Sequence, residues 1–142
     1  MKKYFFFSNL LFFFGIKYSS NKNHGSYLKY RQIVEPLLKN VDLLLFGHVH
    51  AFERTCPIYN EKCIGKYTKH YFNNPKSPIH LCIGTAGFEM NRDWEDQPNW
   101  SLFRESSHGF ASITISSRNS IYVEYFQNHV SKPRDSFLIY KD

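Results

Sequence analysis

Two histidines one residue apart, in Gly47-His48-Val49-His50, are the residues of this chain whose type and spacing could do chemistry. Neutral imidazole is a common nitrogen donor for zinc, iron and manganese, so the pair reads either as two metal ligands or as two solvated loop histidines. A tight turn after Gly47 lets both rings converge on one centre or on two adjacent ones. The preceding residues, Val41-Asp42-Leu43-Leu44-Leu45-Phe46, are a short apolar run that stops at Gly47 and reads as a buried strand covered on both faces. Ligands in α/β sheets bind outside the carboxyl ends of strands, which favours a site at this position.

The rest of the chain must hold that turn in place. Over residues 24–40, Tyr27, Tyr30, Ile33, Val34, Leu37 and Leu38 recur at steps of three and four, with Lys29, Arg31 and Lys39 between them. This spacing predicts an amphipathic helix, which Pro36 kinks or closes in its last turn. After Phe52 the texture reads as loop, punctuated by Cys56, Pro57, Asn60, Cys63, Gly65, Asn73, Asn74, Pro75 and Pro78. Strands are expected over 79–83, 109–115, 121–126 and 136–140, the middle two forming a hairpin across Ser117-Arg118-Asn119-Ser120. The fold class is therefore α/β (α+β), with one main helix and mostly antiparallel strands. A single helix cannot cover both faces of a sheet containing Leu43-Leu44-Leu45. The expectation is that the missing cover belongs to sequence this chain lacks.

Composition excludes other classes. The chain has 142 residues, 42% hydrophobic and 21% charged, which is globular composition and not that of a disordered tail. Its net charge of +6 is concentrated at one end: Lys2, Lys3 and Lys17 leave 15 basic against 12 acidic residues afterwards. No basic run longer than two follows, so no nucleic-acid partner is expected. Six of the 14 phenylalanines fall in residues 5–14, behind Lys2 and Lys3. This basic-then-apolar string matches a secretory signal, or an amino terminus translated from misread coding sequence. It is too short for a stable membrane span. The chain divides into residues 1–17, signal-like or misassigned, and a domain over 18–142.

The residues around the histidine pair, Val41-Asp42-Leu43-Leu44-Leu45-Phe46-Gly47-His48-Val49-His50-Ala51-Phe52-Glu53-Arg54, resemble the last metal motif of the purple acid phosphatases. In these calcineurin-like metallophosphoesterases a strand ends in G-H-x-H followed by an aromatic residue, Glu and Arg. Tyr18-Ser19-Ser20-Asn21 is similar to the family's Y-S-S-N, and Cys56-Pro57-Ile58-Tyr59 to the loop after the motif. Ile83-Gly84-Thr85-Ala86-Gly87 and Phe103-Arg104-Glu105-Ser106-Ser107-His108-Gly109-Phe110 resemble stretches that precede the family's final hairpin.

The resemblance implies the C-terminal half of a four-layer αββα metallophosphoesterase sandwich. It implies an acid phosphatase that cleaves small phosphate monoesters with Fe(III) and a divalent Zn, Mn or Fe. By the same resemblance His48 ligates the divalent ion and His50 the ferric iron. His24, six residues after Tyr18, matches an outer histidine that holds substrate or protonates the leaving group, or is an ordinary surface residue. Glu53 and Arg54 form a supporting ion pair or anchor the loop. The family's habits also imply secretion, glycosylation and, in intact members, homodimers.

Several of the family's features are missing. D-x-G, G-D-x-x-Y and G-N-H followed by Glu or Asp occur nowhere in the chain, and Phe14 stands where the fourth motif has its histidine. Two of the ligands remain. Two imidazoles hold a divalent ion weakly, and two like-charged ions held close together require a bridging anion. The expectation is a family fragment, inactive alone, or a non-catalytic metal-binding or structural module. In a mostly secreted family Cys56 and Cys63 form a disulfide or remain two thiols. Cys82 reads as core. Asn99-Trp100-Ser101 is a glycosylation sequon if the chain enters the secretory route. His80 and His108 either line a site or, on a strand and beside a turn, are structural, and His70 and His129 give no signal.

Overall fold

The computed structural model describes residues 18–21, 28–38 and 40–142. The phenylalanine-rich string in residues 5–14 and His24 lie outside them. The helix begins in the described residues as α1 (Leu28–Val34) and tightens into a 3-10 turn (Glu35–Leu38). Pro36 sits in that turn, where its missing N–H breaks no α-helical ladder.

The inward face of this helical segment differs from the one the periodicity predicts. Ile33 and Leu37 are 70% and 77% exposed, while Arg31 and Glu35 are buried. The charged pair turns inward because it finds partners there. The Arg31 guanidinium lies over the Tyr18 ring at 4.5 Å and donates to Glu61 at 2.8 Å. Glu35 accepts from the Tyr18 hydroxyl and from the Asn60 N–H.

Nine strands follow. β1 (Leu43–Phe46) pairs in parallel with β5 (Ile79–Ile83), and β2 (Phe52–Tyr59) lies antiparallel on the other side of β5. β2 also pairs with β3 (Lys62–Cys63) and β6 (Ser101–Glu105). A second sheet has the order β4 (Tyr71–Asn73), β9 (Asp135–Tyr140), β8 (Ser120–Gln127), β7 (Gly109–Ser117). The expected hairpin closes through Ser117↔Ser120.

The two sheets face each other across one core. Phe52, Ile79 and Leu81 from the first meet Phe72, Ile121, Val123, Tyr125, Phe137 and Ile139 from the second. Along β9, and along β8 as far as Phe126, buried residues alternate with more exposed ones, the period-2 pattern of sheets with one face on a core. The outer face of the first sheet receives Tyr18, whose ring meets His80 edge-on at 4.9 Å. The described part is thus helix on sheet on sheet, an α+β arrangement. Among the described residues no helix is long and apolar enough to cross a membrane.

Two expectations are corrected. Residues 52–59 are a strand, buried along seven of eight positions, where a loop was expected. Its polar residues look solvated in sequence but find partners inside, and Pro57 falls at the register shift in the ladder with β5. β1 is half-buried at each position and not covered on both faces. It is the end strand of the sheet's order, with β5 beside it.

Candidate functional site

β1 delivers the chain to Gly47, and the backbone then folds through two successive γ-turns. Val49 N–H donates to the Gly47 carbonyl at 2.9 Å, and Ala51 N–H donates to the Val49 carbonyl at 2.8 Å. His48 and His50 are the central residues of these turns. His48 has φ 70°, the left-handed region that a side chain adopts only when its surroundings enforce it. The end of β5 does the enforcing. A Cβ on Gly84 would come 1.8 Å from the Val49 carbonyl oxygen, so only glycine allows β5 to run this close beneath the turn. Gly84 N–H donates to the Ala51 carbonyl, and the buried Cys82 thiol points at the Val49 carbonyl at 3.6 Å.

His50 is held on every side by the segment after β5. Its N–H donates to Asn91 Oδ1 at 2.7 Å, and its carbonyl accepts from Asn91 N–H at 2.8 Å. Its Nδ1 lies 2.9 Å from the Glu89 carbonyl oxygen. A carbonyl only accepts, so Nδ1 carries the proton and Nε2 keeps its lone pair. A carbonyl partner of this kind fixes the tautomer and ring angle of metal-bound histidines. Phe88 packs edge-on against the His50 ring at 4.9 Å, and His108 Nε2 donates to the Phe88 carbonyl at 2.8 Å.

The stretch over 104–108 keeps this wrapping segment closed. Arg104 donates to the Glu95 carbonyl and stacks on Trp94. Ser106 donates to the Asn91 carbonyl at 2.5 Å and accepts from the Trp94 indole at 3.0 Å. Tyr125 donates to the Ser107 carbonyl at 2.7 Å. Burial on the Phe52 ring raises the pKa of the Tyr125 hydroxyl, which keeps it a donor.

Glu53 and Arg54 point to opposite faces of β2 and do not pair with each other. Glu53 accepts from the Ser20 N–H and hydroxyl at 2.9 and 2.5 Å and from the Ser101 hydroxyl at 2.7 Å. Arg104 also donates to the Ser20 hydroxyl. The segment 18–21 is thereby tied to β2, the strand that leaves the histidine turn. Arg54 reaches into the core and forms a two-pronged pair with Asp135 at 2.6 and 2.8 Å. Cys56 and Cys63 form a disulfide that closes the β2–β3 hairpin.

Of the residues that sequence picks out, His48 and His50 share one turn, with His48 exposed and His50 half-buried. His80, fully buried between Phe46 and Tyr18, lies on the face of β5 away from the core. Burial, with the Arg31 charge adding to it, lowers its pKa to about 3, so the ring is neutral. Among the described residues no group of three or more His, Cys, Asp or Glu could hold a metal ion. The described residues therefore do not hold the donor set of a complete binuclear centre. Sequence reasoning missed Asn91, and it missed that Gly84, Phe88 and Glu89 serve His50, while His108 was open as a residue that lines a site. The I-G-x-x-G and R-E-S-S-H stretches were the available signals, but their contacts with residues 47–51 are written in no local pattern.

The family described as iron/zinc purple acid phosphatase-like protein C matches residues 77–136. The chain is 36% identical over 102 residues to a probable inactive purple acid phosphatase of Arabidopsis thaliana, covering 72% of this chain and 17% of that protein. It is 35% identical over 102 residues to a nucleotide pyrophosphatase/phosphodiesterase of Hordeum vulgare, covering 72% and 28%. A purple acid phosphatase from yellow lupin (Lupinus luteus) seeds matches in structure with a TM-score of 0.79 and 30% identity, over 90% of this chain and 24% of that one. The chain spans less than a third of the length of each. The likeness in sequence and in fold falls on the carboxy-terminal region, and the chain belongs to the purple acid phosphatase family.

Proposed function

We propose that this chain carries the last metal-binding turn of a phosphomonoesterase domain, with His48 and His50 as ligands, and that it does not hydrolyse phosphate esters by itself. The observation that carries the reading is the His50 Nδ1–H held by the Glu89 carbonyl, which leaves Nε2 as the donor. In the family's complete centre a ferric and a divalent ion polarise a phosphate ester and acidify a bound water. This chain's described residues supply two imidazoles to such a centre and no bridging carboxylate beside them.

The relative named as probable inactive supports a second reading, a non-catalytic module that keeps the turn for structure or weak metal binding. The Cys56–Cys63 disulfide supports passage through an oxidising, secretory compartment. Hydrolysis of a chromogenic phosphate monoester at acidic pH, with iron and zinc supplied, tests the proposal. No turnover above the protein-free rate is expected. Turnover that disappears in His48→Ala/His50→Ala would overturn it.

A further inference from the structure

Residues 86–90 carry the Glu89 carbonyl that fixes the His50 proton, yet little in the stretch itself explains where it lies. Gly87 has φ 122°, a conformation that favours glycine, and a Cβ there would meet nothing within 4 Å. Phe88 is 71% exposed, so burial does not seat it. No strand runs through 86–90. Among the described residues the stretch is bonded to the rest of the chain at two carbonyls. That of Glu89 accepts from His50 Nδ1 at 2.9 Å, and that of Phe88 accepts from His108 Nε2 at 2.8 Å.

His108 has the fixed end of this arrangement. It is the last residue before β7, and its own carbonyl accepts from Asn128 N–H at 2.9 Å, just past β8. Gly109, which follows it, donates to the Thr85 carbonyl and accepts from the Thr85 hydroxyl at 2.8 Å. The backbone around His108 is therefore bound both to the second sheet and to the root of the 86–90 stretch. We propose that His108 is a positioning residue for His50. By holding the Phe88 carbonyl it orients the adjoining Glu89 carbonyl, which keeps the His50 proton on Nδ1 and the lone pair on Nε2. The proposal rests on His50 being a metal ligand, and adds that the second sheet sets that ligand's tautomer through one exposed side chain.

Long-range proton–nitrogen NMR of the intact chain at about pH 8, above the ordinary histidine range, reads the His50 tautomer without any metal. His108→Phe keeps a ring and removes the donor, so a His50 population protonated at Nε2 is expected beside the Nδ1 form. His108→Gln, whose amide nitrogen donates from a similar reach, should restore the Nδ1 form. Zinc affinity should follow, about two- to tenfold weaker in His108→Phe, the worth of one hydrogen bond, and recovered in His108→Gln. A merely structural role would lower the urea midpoint of His108→Phe and leave the His50 tautomer as it is in the unaltered chain. That result overturns the proposal, and so does a His108→Gln chain that behaves like His108→Phe. An unaltered chain that takes up no zinc counts against His50 as a ligand, while the metal-free tautomers still decide the role of His108.

Discussion

Gly84 sets the conformation of the histidine turn through one close approach, and its replacement is informative because no side chain fits. In Gly84→Ala a methyl group must displace the Val49 carbonyl, which is backbone and cannot rotate away. Overpacking of this kind costs about 2 kcal/mol or more. The expected outcome is a lower urea midpoint, with the largest amide shifts at residues 47–51. His80 gives a second prediction at this scale. Its pKa is about 3 in the fold against about 6.5 unfolded, so the unfolded chain takes up the proton first. Its contribution to stability is complete above pH 6.5 and is lost as pH falls toward 3, on the order of 1 kcal/mol per pH unit. Urea midpoints compared at pH 7 and pH 4.5 should fall less in His80→Phe than in the unaltered chain. An equal fall in both would remove His80 as the source.

Between elements, the Arg54–Asp135 pair joins β2 to β9 across the core, with the guanidinium also over the Phe137 ring at 4.8 Å. Asp135→Ala leaves a cation buried without its partner and should cost about 3–5 kcal/mol, whereas Arg54→Met with Asp135→Leu should cost less. A double-mutant cycle in urea checks this. The same pair shows why part of the fold was hidden in sequence. β1, β5, β8 and β9 announce themselves through apolar runs or alternation. β2 does not, because Glu53, Arg54 and Thr55 read as surface until Ser20, Asp135 and the β5 backbone arrive from distant parts of the chain. The helix was legible as a helix, but its inward face was not. Arg31 and Glu35 turn inward toward Tyr18, which no spacing rule announces. The histidine pair itself was legible from its place after an apolar run. Its support by Glu89, Asn91 and Ser106 was not, since those bonds span a long, irregular segment.

Over the whole molecule, the family's landmark stretches converge on one assembly. The segment 18–21, Glu53 and the stretch over 103–110 interlock through Ser20, Ser101 and Arg104. That assembly holds the turn that carries both histidines and fixes the tautomer of His50, with no carboxylate cluster beside it among the described residues. The direct measurement is a zinc titration of the intact chain, followed through the histidine ring nitrogens by long-range proton–nitrogen NMR. Without metal, His50 should show a protonated Nδ1 and an unprotonated Nε2. Zinc should then shift His50 Nε2 and the His48 ring with weak affinity, while His70 and His129 stay unchanged. A His50 ring protonated at Nε2, or rings of His48 and His50 that zinc leaves unmoved, would contradict the account.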